Sequence, residues 1–392
     1  MNTRIYIQNL NAICALGEDL PTISKHLFAD THQDFGQHST QYSLKPVFLS
    51  WLNNHFALPS DTPLRFCSRN NGLIYQTFLG LKDHWQAATS GIFKNRIGVV
   101  LGSSNSGIEE GENAITHQNA TGDLPSNYRY EQQEYGSPAL YLAHFLDITG
   151  PAYTLSTACS SSAKAFISGA RLIQAGICDV VLVGGSDTLS QLTVNGFISL
   201  EAVDDGRCKP FSVNRAGIHL GEGCALFILS KKPAAVELIG WGESSDAHHM
   251  SAPQPEGLGA EASMQKALLK AGIKASDIDY INLHGTATMQ NDAMEAKAIS
   301  RVFPNRPWVS ATKSLTGHTL GAAGAIEAAF CWLTLNNSSK LPTHWWDGEY
   351  DPTLPKLKFV IPDTSLKPRY VLSNSFGFGG SNASLIFCRN EA

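Results

Sequence analysis

The stretch from Tyr153 to Ala170, YTLSTACSSSAKAFISGA, predicts a buried strand, a sharp turn and a helix, with Cys159 at the corner. The three serines at 160–162 can cap the helix that follows. The small neighbour Ala158 leaves the sulfur open, as at a nucleophile elbow. Because the positive end of a helix favours a thiolate, we expect the pKa of Cys159 to lie below its usual value of about 8.5. Cys159 is therefore the candidate nucleophile, although an isolated cysteine is more often a small core residue.

Composition limits the class of protein. With 392 residues, 43% of them hydrophobic, the chain can bury a large core and form two or three domain-sized units. The formal charge of −5 argues against a nucleic-acid binder or a membrane-surface binder. Eight cysteines without a CxxC pair indicate reduced thiols, and the cysteines and histidines lack the spacing of zinc ligands. Because no apolar run is long enough to span a bilayer, we expect a cytoplasmic protein without membrane insertion.

Apolar strands and helical segments alternate along the chain. RIGVVLG at 96–102 and DVVLVGG at 179–185 are strands of the buried kind. The second half repeats the order of elements, and its closing GGSNASLIFC at 379–388 resembles GEGCALFILS at 221–230. The pattern predicts a duplicated α/β layered fold with mostly parallel sheets covered by helices.

We divide the duplication into two halves, residues 1–235 and residues 236–392. The polar segment 28–63 is expected to be irregular surface covering, and SSNSGIEEGE at 103–112 is expected to be a loop.

Three further stretches carry residues suited to catalysis. YINLHGTATMQND at 280–292 delivers His284 from a strand end, where parallel sheets bind ligands. SATKSLTGHTLGAA at 310–323 places Lys313 and His318 in a loop before a small-residue helix. The glycine-rich SNSFGFGGSN at 373–382 can bring backbone N–H groups to a substrate oxygen. Each has an ordinary alternative, since single histidines, lysines and glycine turns are more often structural or solvated.

Together the stretches resemble the β-ketoacyl-acyl-carrier-protein synthase (ketosynthase) family, of the elongating class. The resemblance lies in TACSSSA around Cys159, HGTAT at 284–288, KSLTGHTLGAAGA at 313–325 and NSFGFGGSN at 374–382. It is weaker over the first 95 residues. It implies a thiolase-like fold, a duplicated five-layered α-β-α-β-α sandwich. The N-terminal half would carry the nucleophile, and the C-terminal half the two histidines and the glycine-rich loop.

The resemblance also implies decarboxylative Claisen condensation. Cys159 would take an acyl group from phosphopantetheine on an acyl carrier protein. The backbone N–H groups of Cys159 and Phe378 would form the oxyanion hole. His284 and His318, as neutral donors, would stabilise the enolate left when a malonyl thioester loses CO2. No other cofactor is expected.

Supporting roles follow from the same resemblance. Lys313 would pair with Glu327 and not act as a base, Thr286 and Thr288 would bind the pantetheine amides, and Phe378 would gate the acyl pocket. The remaining expected contributors are Phe376, Gly377 and Gly379 in substrate binding and Glu295 in support of the site. A structural monovalent cation would be held by Asn282, Glu295, Glu327, Ser373 and Asn382.

Two departures and two loops bear on specificity. Met289 stands where the family commonly has proline, and Asn291 where it has glycine, so the turn that admits the arm can differ. SRNNGL at 68–73, with the polar loop at 103–112, is similar to aryl-polyene ketosynthases rather than housekeeping fatty-acid enzymes.

Several alternatives remain at this point. A thiolase would carry a second cysteine in the glycine-rich loop, where this chain has Phe376 and Phe378, and a chain-starting synthase would pair cysteine and histidine with asparagine. A chain-length factor, a partner subunit without condensing activity, would lack the nucleophile. No dinucleotide fingerprint is present in VLVGGSDT. The resemblance implies a homodimer, or a heterodimer with a ketosynthase-like partner.

Overall fold

The computed structural model describes residues 3–336 and 339–390 of the chain. Its strands are β1 (Tyr6–Cys14), β2 (Gln37–Ser39), β3 (Val47–Ser50), β4 (Ile97–Gly102), β5 (Ala152–Leu155), β6 (Val180–Asp187), β7 (Leu220–Gly221), β8 (Gly223–Ser230), β9 (Val236–Ser245), β10 (Tyr280–Asn282), β11 (Trp308–Ser310), β12 (Lys358–Phe359), β13 (Tyr370–Gly377) and β14 (Ser381–Arg389). Its helices are α1 (Leu20–Leu27), α2 (Arg69–Leu79), α3 (Lys82–Thr89), α4 (Ile108–Thr121), α5 (Ser137–Phe145), α6 (Ser161–Gln174), α7 (Gln191–Ser199), α8 (Leu258–Ala271), α9 (Met289–Val302), α10 (Lys313–Thr316) and α11 (Ala323–Asn336).

The two halves of the chain build the same arrangement of strands. The first half has the order β5-β4-β6-β8-β1, and the second has β11-β10-β13-β14-β9, with β12 added at the outer edge. In the first half, β4 pairs in parallel with β5 and β6, whereas β8 runs antiparallel to both of its neighbours. In the second half, β10 pairs in parallel with β11 and β13, whereas β14 runs antiparallel to both of its neighbours. The halves join where β1 pairs with β9, at Tyr6 with Glu237 and at Ile7 with Val236.

Helices cover both half-sheets and separate them. Helices α6 and α11 lie in the centre, where the side chains of both half-sheets pack against them in one shared core. A second core lies between the first half-sheet and helices α2 and α5, and a third lies between the second half-sheet and helices α8 and α9. The layers are therefore α-β-α-β-α, which confirms the thiolase-like five-layered sandwich expected from the sequence.

The central layer is held together by close backbone contact. A Cβ atom on Gly324 of α11 would lie 2.9 Å from the backbone nitrogen of Ala163 in α6. One on Gly102 of β4 would lie 2.2 Å from the backbone nitrogen of Ser162. The small-residue helix predicted after His318 thus packs directly against the helix that carries the candidate nucleophile.

The structure corrects three expectations. Segment 28–63 is not merely irregular, because β2, β3 and β7 form a small sheet whose buried Val47 and Leu49 pack with Leu220. The segment 103–112 is not all loop, since α4 begins at Ile108. The sheets are mixed rather than mostly parallel, because the last strand of each half reverses direction. Helix α7 was not predicted.

The division at residue 235 falls between β8 and β9, and it remains a prediction. The first two residues of the N-terminal half (1–2) and the last two of the C-terminal half (391–392) lie outside the described residues. In the described ranges, none of the helices combines the length and the apolar character needed to cross a bilayer.

Candidate active site

Cys159 lies at the corner between β5 and α6, as the sequence predicts. Ala158, just before it, has φ +51°, a left-handed conformation that turns the chain sharply. The Ser161 hydroxyl accepts from the Thr157 N–H at 2.8 Å and donates to the Ala158 carbonyl at 2.5 Å, which fixes the corner. The side chain of Cys159 is therefore held at the N-terminus of a buried helix, and it is itself 6% exposed.

The expected low pKa of Cys159 is wrong. Burial raises the pKa of the thiol to about 11, and this effect outweighs Lys313 and the backbone N–H groups of Phe378 and Cys159, which act in the opposite direction. Helix position was the only factor visible in the sequence, whereas the depth of burial is set by the packing of distant segments. The resting nucleophile is a thiol.

His318 faces the sulfur. Its Nε2 lies 3.1 Å from Sγ of Cys159, and its Nδ1 accepts a hydrogen bond from the backbone N–H of Leu320 at 3.1 Å. A ring nitrogen that accepts carries no proton, so the neutral ring carries its proton on Nε2. His318 therefore presents a donor to the space beside the sulfur.

His284 enters the site from the end of β10. Glu295 of α9 fixes this turn, because its carboxylate accepts from the backbone N–H groups of His284 and Gly285, each at 2.8 Å. The Lys313 ammonium donates to the carbonyl of His284 at 2.6 Å, lies 3.4 Å from its Nδ1, and forms a buried ion pair with Glu327. The pairing of Lys313 with Glu327 is the one that the family resemblance implied.

Both histidines are neutral. The pKa of His284 and that of His318 lie well below the usual value, first because burial disfavours the charged ring and second because of the Lys313 ammonium. The backbone carbonyl of Phe376 opposes this in His284. The two rings meet edge to face, with centroids 5.6 Å apart.

The glycine-rich turn between β13 and β14 closes the site. Phe376 is buried and packs against His284, whereas the partly exposed Phe378 packs against Phe197 of α7. Gly379 has φ +76°, which a side chain would strain, and its N–H donates to the carbonyl of Met250 at 2.8 Å. The N–H groups of Phe378 and Cys159 act on the same sulfur.

One cavity of about 240 Å³ brings the predicted residues together. Its lining includes Cys159, His284, His318, Thr286, Thr288, Phe376, Gly377 and Phe378. Gly379 lies outside the lining, and the hydroxyls of Thr286 and Thr288 are 3.0 Å apart within it. Met289 and Asn291, the two departures from the family pattern, also line the cavity.

The sulfur and one ring nitrogen from each histidine lie within 4.8 Å of one another. Such a grouping could also offer ligands to Zn²⁺. We argued against a zinc site from the spacing of cysteines and histidines in the sequence. That spacing could not reveal this cluster, because the fold brings its three residues together from distant positions.

Part of the predicted cation site fits a cation. Asn282 Oδ1 and Glu327 Oε2 are buried oxygens without a hydrogen-bond partner among the described residues. Ser373 lies beside Asn282 in the register of β10 and β13. Uncompensated buried oxygens of this kind suit a hard cation.

The other two predicted ligands are engaged elsewhere. Glu295 already accepts two backbone N–H groups. Asn382 donates to Asp246 at 3.2 Å and lines the catalytic cavity. Asn282, Ser373 and Glu327 are therefore the members of the predicted set that fit a cation best, and the five-residue site remains a prediction.

Two buried carboxylates near the site were not predicted. Asp187 accepts from the N–H of Gly321 at 2.7 Å, and Asp292 accepts from the N–H of Ala287 at 3.1 Å, beside the cavity threonines. The available signal was an acidic residue at the end of a buried strand, in VLVGGSD, and another in the first turn of a helix. These signals do not identify the hydrogen-bond partners of the two carboxylates, which depend on how the chain folds.

Comparison with known proteins decides the family. Residues 76–235 match the sequence model of the β-ketoacyl synthase N-terminal domain, and residues 235–345 match that of the C-terminal domain. The chain belongs to the β-ketoacyl synthase family. The resemblance seen in the sequence is thus confirmed, and it also reaches into the first 95 residues, where we expected it to be weaker.

Curated relatives of this β-ketoacyl synthase are named 3-oxoacyl-[acyl-carrier-protein] synthase 2. One from Staphylococcus aureus (strain COL) is 29% identical, over 100% of this chain and 99% of the relative. One from Rhizobium meliloti (strain 1021) is 38% identical, but the match spans only 62% of either chain.

Solved structures agree over the whole fold. The ketosynthase ApeO, in complex with its chain length factor ApeC from Xenorhabdus doucetiae, is 41% identical with a TM-score of 0.94 and covers 99% of this chain and 98% of its own. A β-ketoacyl synthase from Burkholderia phymatum STM815 is 29% identical with a TM-score of 0.89, covering 99% of this chain and 100% of its own.

Proposed function

We propose that this β-ketoacyl synthase is an acyltransferase that extends an acyl chain by decarboxylative Claisen condensation with malonyl-acyl carrier protein. The observation that carries the proposal is the convergence of Cys159, His284 and His318 on one buried cavity. These three residues come from distant parts of the chain, and they supply a nucleophilic sulfur and two neutral imidazoles. The catalytic residues are accordingly these three.

The first step is transfer of an acyl group to Cys159. Sulfur attacks the thioester carbonyl, its bond to carbon forms as the bond to the phosphopantetheine sulfur breaks, and the thiol proton ends on the departing pantetheine. The backbone N–H groups of Cys159 and Phe378 hold the tetrahedral oxyanion. Because the exchange of thiol for thioester consumes no proton overall, a resting thiol with a raised pKa is compatible with it.

The second step makes the new carbon–carbon bond. The malonyl thioester loses CO2, and its electrons form an enolate whose oxygen takes hydrogen bonds from His284 and His318. The enolate carbon then attacks the acyl group on Cys159, the bond from the acyl carbon to sulfur breaks, and the departing thiolate takes one proton from solvent. A dry site strengthens these hydrogen bonds, and it keeps water from hydrolysing the acyl enzyme.

The other polar residues position the catalytic ones. The Lys313 ammonium donates to the carboxylate of Glu327 and to the carbonyl of His284, so it sets charge balance rather than removing protons. Glu295 holds the backbone of the His284 turn. Thr286 and Thr288 line the route of the pantetheine arm and offer it hydroxyl groups.

Partners and setting belong to the same proposal. The acyl carrier protein brings phosphopantetheine, and no added cofactor is needed; a structural monovalent cation would bind at Asn282, Ser373 and Glu327. The chain acts in the cytoplasm, as a homodimer or as a heterodimer with a ketosynthase-like partner, and its halves are residues 1–235 and 236–392. Its pathway is of the aryl-polyene type, for which the loops at 68–73 and 103–112 are the support.

A chain-length factor without condensing activity is the alternative. Cys159 lies inside the cavity in contact with His318, which argues against this alternative. A subunit without condensing activity would not need a buried nucleophile.

The deciding experiment is Cys159→Ala. We expect loss of acyl loading and of condensation, measured as the mass of the acylated protein and of the β-ketoacyl product. Cys178→Ala, a change at another buried cysteine that lies outside the cavity, is the matched control and should load normally. Acyl label that persists on the Cys159→Ala protein would place the nucleophile elsewhere.

The acyl chain length is a separate question. Incubation with malonyl-carrier protein and a panel of acyl-carrier proteins, followed by mass analysis of the products, identifies the accepted length and unsaturation. Extension of saturated short chains only would contradict the aryl-polyene assignment and leave the condensing activity intact.

A further inference from the structure

Asp187 ends β6 with a fully buried carboxylate. The carboxylate accepts hydrogen bonds from the hydroxyl of Ser103 at 2.7 Å and from the backbone N–H groups of Ser104 at 2.9 Å, Asn105 at 2.9 Å and Gly321 at 2.7 Å. A buried charge is tolerated only when such donors replace the water it has lost. The carboxylate therefore binds two segments to the end of β6, residues 103–105 and the turn at Gly321.

The turn at Gly321 is tight and strained. A Cβ atom on Gly321 would lie 2.7 Å from Oδ2 of Asp187 and 2.7 Å from the backbone nitrogen of Ser104. Leu320, immediately before it, has φ +52°, which is unfavourable for a leucine. A conformation of this kind persists only where surrounding contacts impose it. The Asp187 contact with the Gly321 N–H imposes it on one side.

The same turn sets the protonation of His318. The Leu320 N–H donates to Nδ1 of His318 at 3.1 Å, and the proton of the neutral ring therefore lies on Nε2, which faces Cys159 at 3.1 Å. The backbone of His318 is held separately, by the carbonyl of His219 and the N–H of Gly221. The position of the ring and the choice of its tautomer are thus controlled by different contacts.

We propose that Asp187 is a positioning residue: by holding the Leu320–Gly321 turn it keeps the proton of His318 on Nε2, where the reaction needs a donor. The inference rests on the proposed function in one respect, namely that catalysis uses the Nε2 proton of His318. Asp187 touches neither substrate nor sulfur, and it lies outside the cavity lining. Burial raises the pKa of Asp187 to about 6, so its carboxylate is charged at neutral pH.

The test is Asp187→Asn, which keeps the size of the side chain but points an N–H group at the donors that the carboxylate accepted. In 15N spectra of histidine-labelled protein, with His318→Ala to assign the signal, we expect the acceptor signal of His318 Nδ1 to be lost or mixed with the other tautomer. Malonyl decarboxylation should fall by about tenfold or more while acyl loading of Cys159 changes by less than about twofold.

Asp351→Asn is the matched control. Asp351 is also buried, but it pairs with Arg215 and neither residue lines the cavity, so this change should lower Tm without altering the His318 signal or the ratio of decarboxylation to loading. An Asp187→Asn protein with an unchanged His318 signal would overturn the proposal. So would a proportional fall of both activities together with Tm, which indicates a merely structural role.

Gly321→Ala decides the matter if Asp187→Asn does not fold, because its Cβ would displace the N–H from Asp187. The same selective loss supports the proposal, and no loss or a proportional loss overturns it. A wild-type protein that fails to decarboxylate malonyl-carrier protein would refute the proposed function, and the spectra would still decide the role of Asp187.

Discussion

At the scale of single residues, burial is the main factor that keeps the nucleophile and the two hydrogen-bond donors uncharged at rest. Burial raises the pKa of Cys159 and lowers the pKa of both histidines, so all three groups are uncharged at rest. The Lys313 ammonium beside His284 is balanced by the carboxylate of Glu327. An enolate that forms in this site is the species with an uncompensated charge, and neutral N–H donors aimed at it then act with the greatest effect.

Replacing either histidine tests that division of roles. In His284→Ala or His318→Ala, decarboxylation should fall by about 100-fold or more, because one donor to the enolate oxygen is gone. Acyl loading of Cys159 should survive, since its oxyanion hole is made of backbone N–H groups. The measurements are CO2 release from malonyl-carrier protein and the mass of the acyl enzyme. Normal CO2 release by both variants would refute the assignment.

A buried histidine outside the cavity predicts how stability depends on pH. His344 accepts from the Ala311 N–H at Nδ1 and donates to the Pro210 carbonyl at Nε2, each at 3.1 Å, and burial lowers its pKa to about 3. Because the unfolded chain binds this proton at a higher pH than the folded one, its contribution to stability falls as the pH drops below 6.5.

His344→Gln removes the titration and keeps a polar N–H group for the Pro210 carbonyl. Between pH 6.5 and pH 5.5 the wild type should lose about 1 kcal/mol more than this variant in the free energy of unfolding. Urea unfolding of both proteins at the two pH values measures the difference, in which the contributions of other titrating groups cancel. Equal losses in the two proteins would show that His344 titrates in the folded state.

At the scale of elements, catalysis depends on the contact between α6 and α11. In Gly324→Ala the new Cβ would lie 2.9 Å from the nitrogen of Ala163 and 3.0 Å from the hydroxyl of Ser375. We expect a loss of about 1–3 kcal/mol in the free energy of unfolding and slower acyl loading, because α6 carries Cys159 at its N-terminus. Gly196→Ala in α7, where a Cβ meets no atom within 4 Å, should cost nothing and can stabilise the helix.

Measuring urea unfolding and the loading rate for the two glycine variants compares a crowded with an open position. If Gly324→Ala were as stable and as fast as Gly196→Ala, the close packing of the central helices would not position the nucleophile.

What the sequence predicted at this scale follows from local signals. The corner at Cys159, with its strand residues, serines and apolar helix, is visible because every signal lies within one continuous stretch. The start of α4 at Ile108 was missed because Gly107 and Gly111 on either side of its first turn are typical of a loop, although Glu109 and Glu110 favour a helix start. Strand β3 was missed because its cover comes from the distant Leu220. The raised pKa of Cys159 and the role of Asp187 likewise depend on segments that meet only in the folded chain.

At the scale of the whole molecule, the duplication explains where the active site lies. Each half delivers its catalytic groups from the ends of its strands, and the central helices are shared by both half-sheets. The nucleophile comes from the first half, and His284 and His318, with the supporting Lys313, come from the second. Neither half alone contains the set, so the cavity exists only when the halves pack together.

The outer edge of the first half-sheet predicts where a partner chain binds. Among the described strands β5 pairs with β4 alone, and helix α5, which packs against β5, exposes the apolar side chains of Leu140 and Phe145. A free edge next to exposed apolar surface is a site for association.

We expect Leu140→Glu to weaken the proposed dimer, because a carboxylate would be buried in the interface. The expectation is the same for a second copy of this chain and for a ketosynthase-like partner. Leu269→Glu, at an exposed leucine of α8 in the other half, is the matched control and should leave the dimer intact. Analytical ultracentrifugation of each variant, with and without a cysteine-less ketosynthase homologue, gives the answer; equal association by both variants would place the interface on another face.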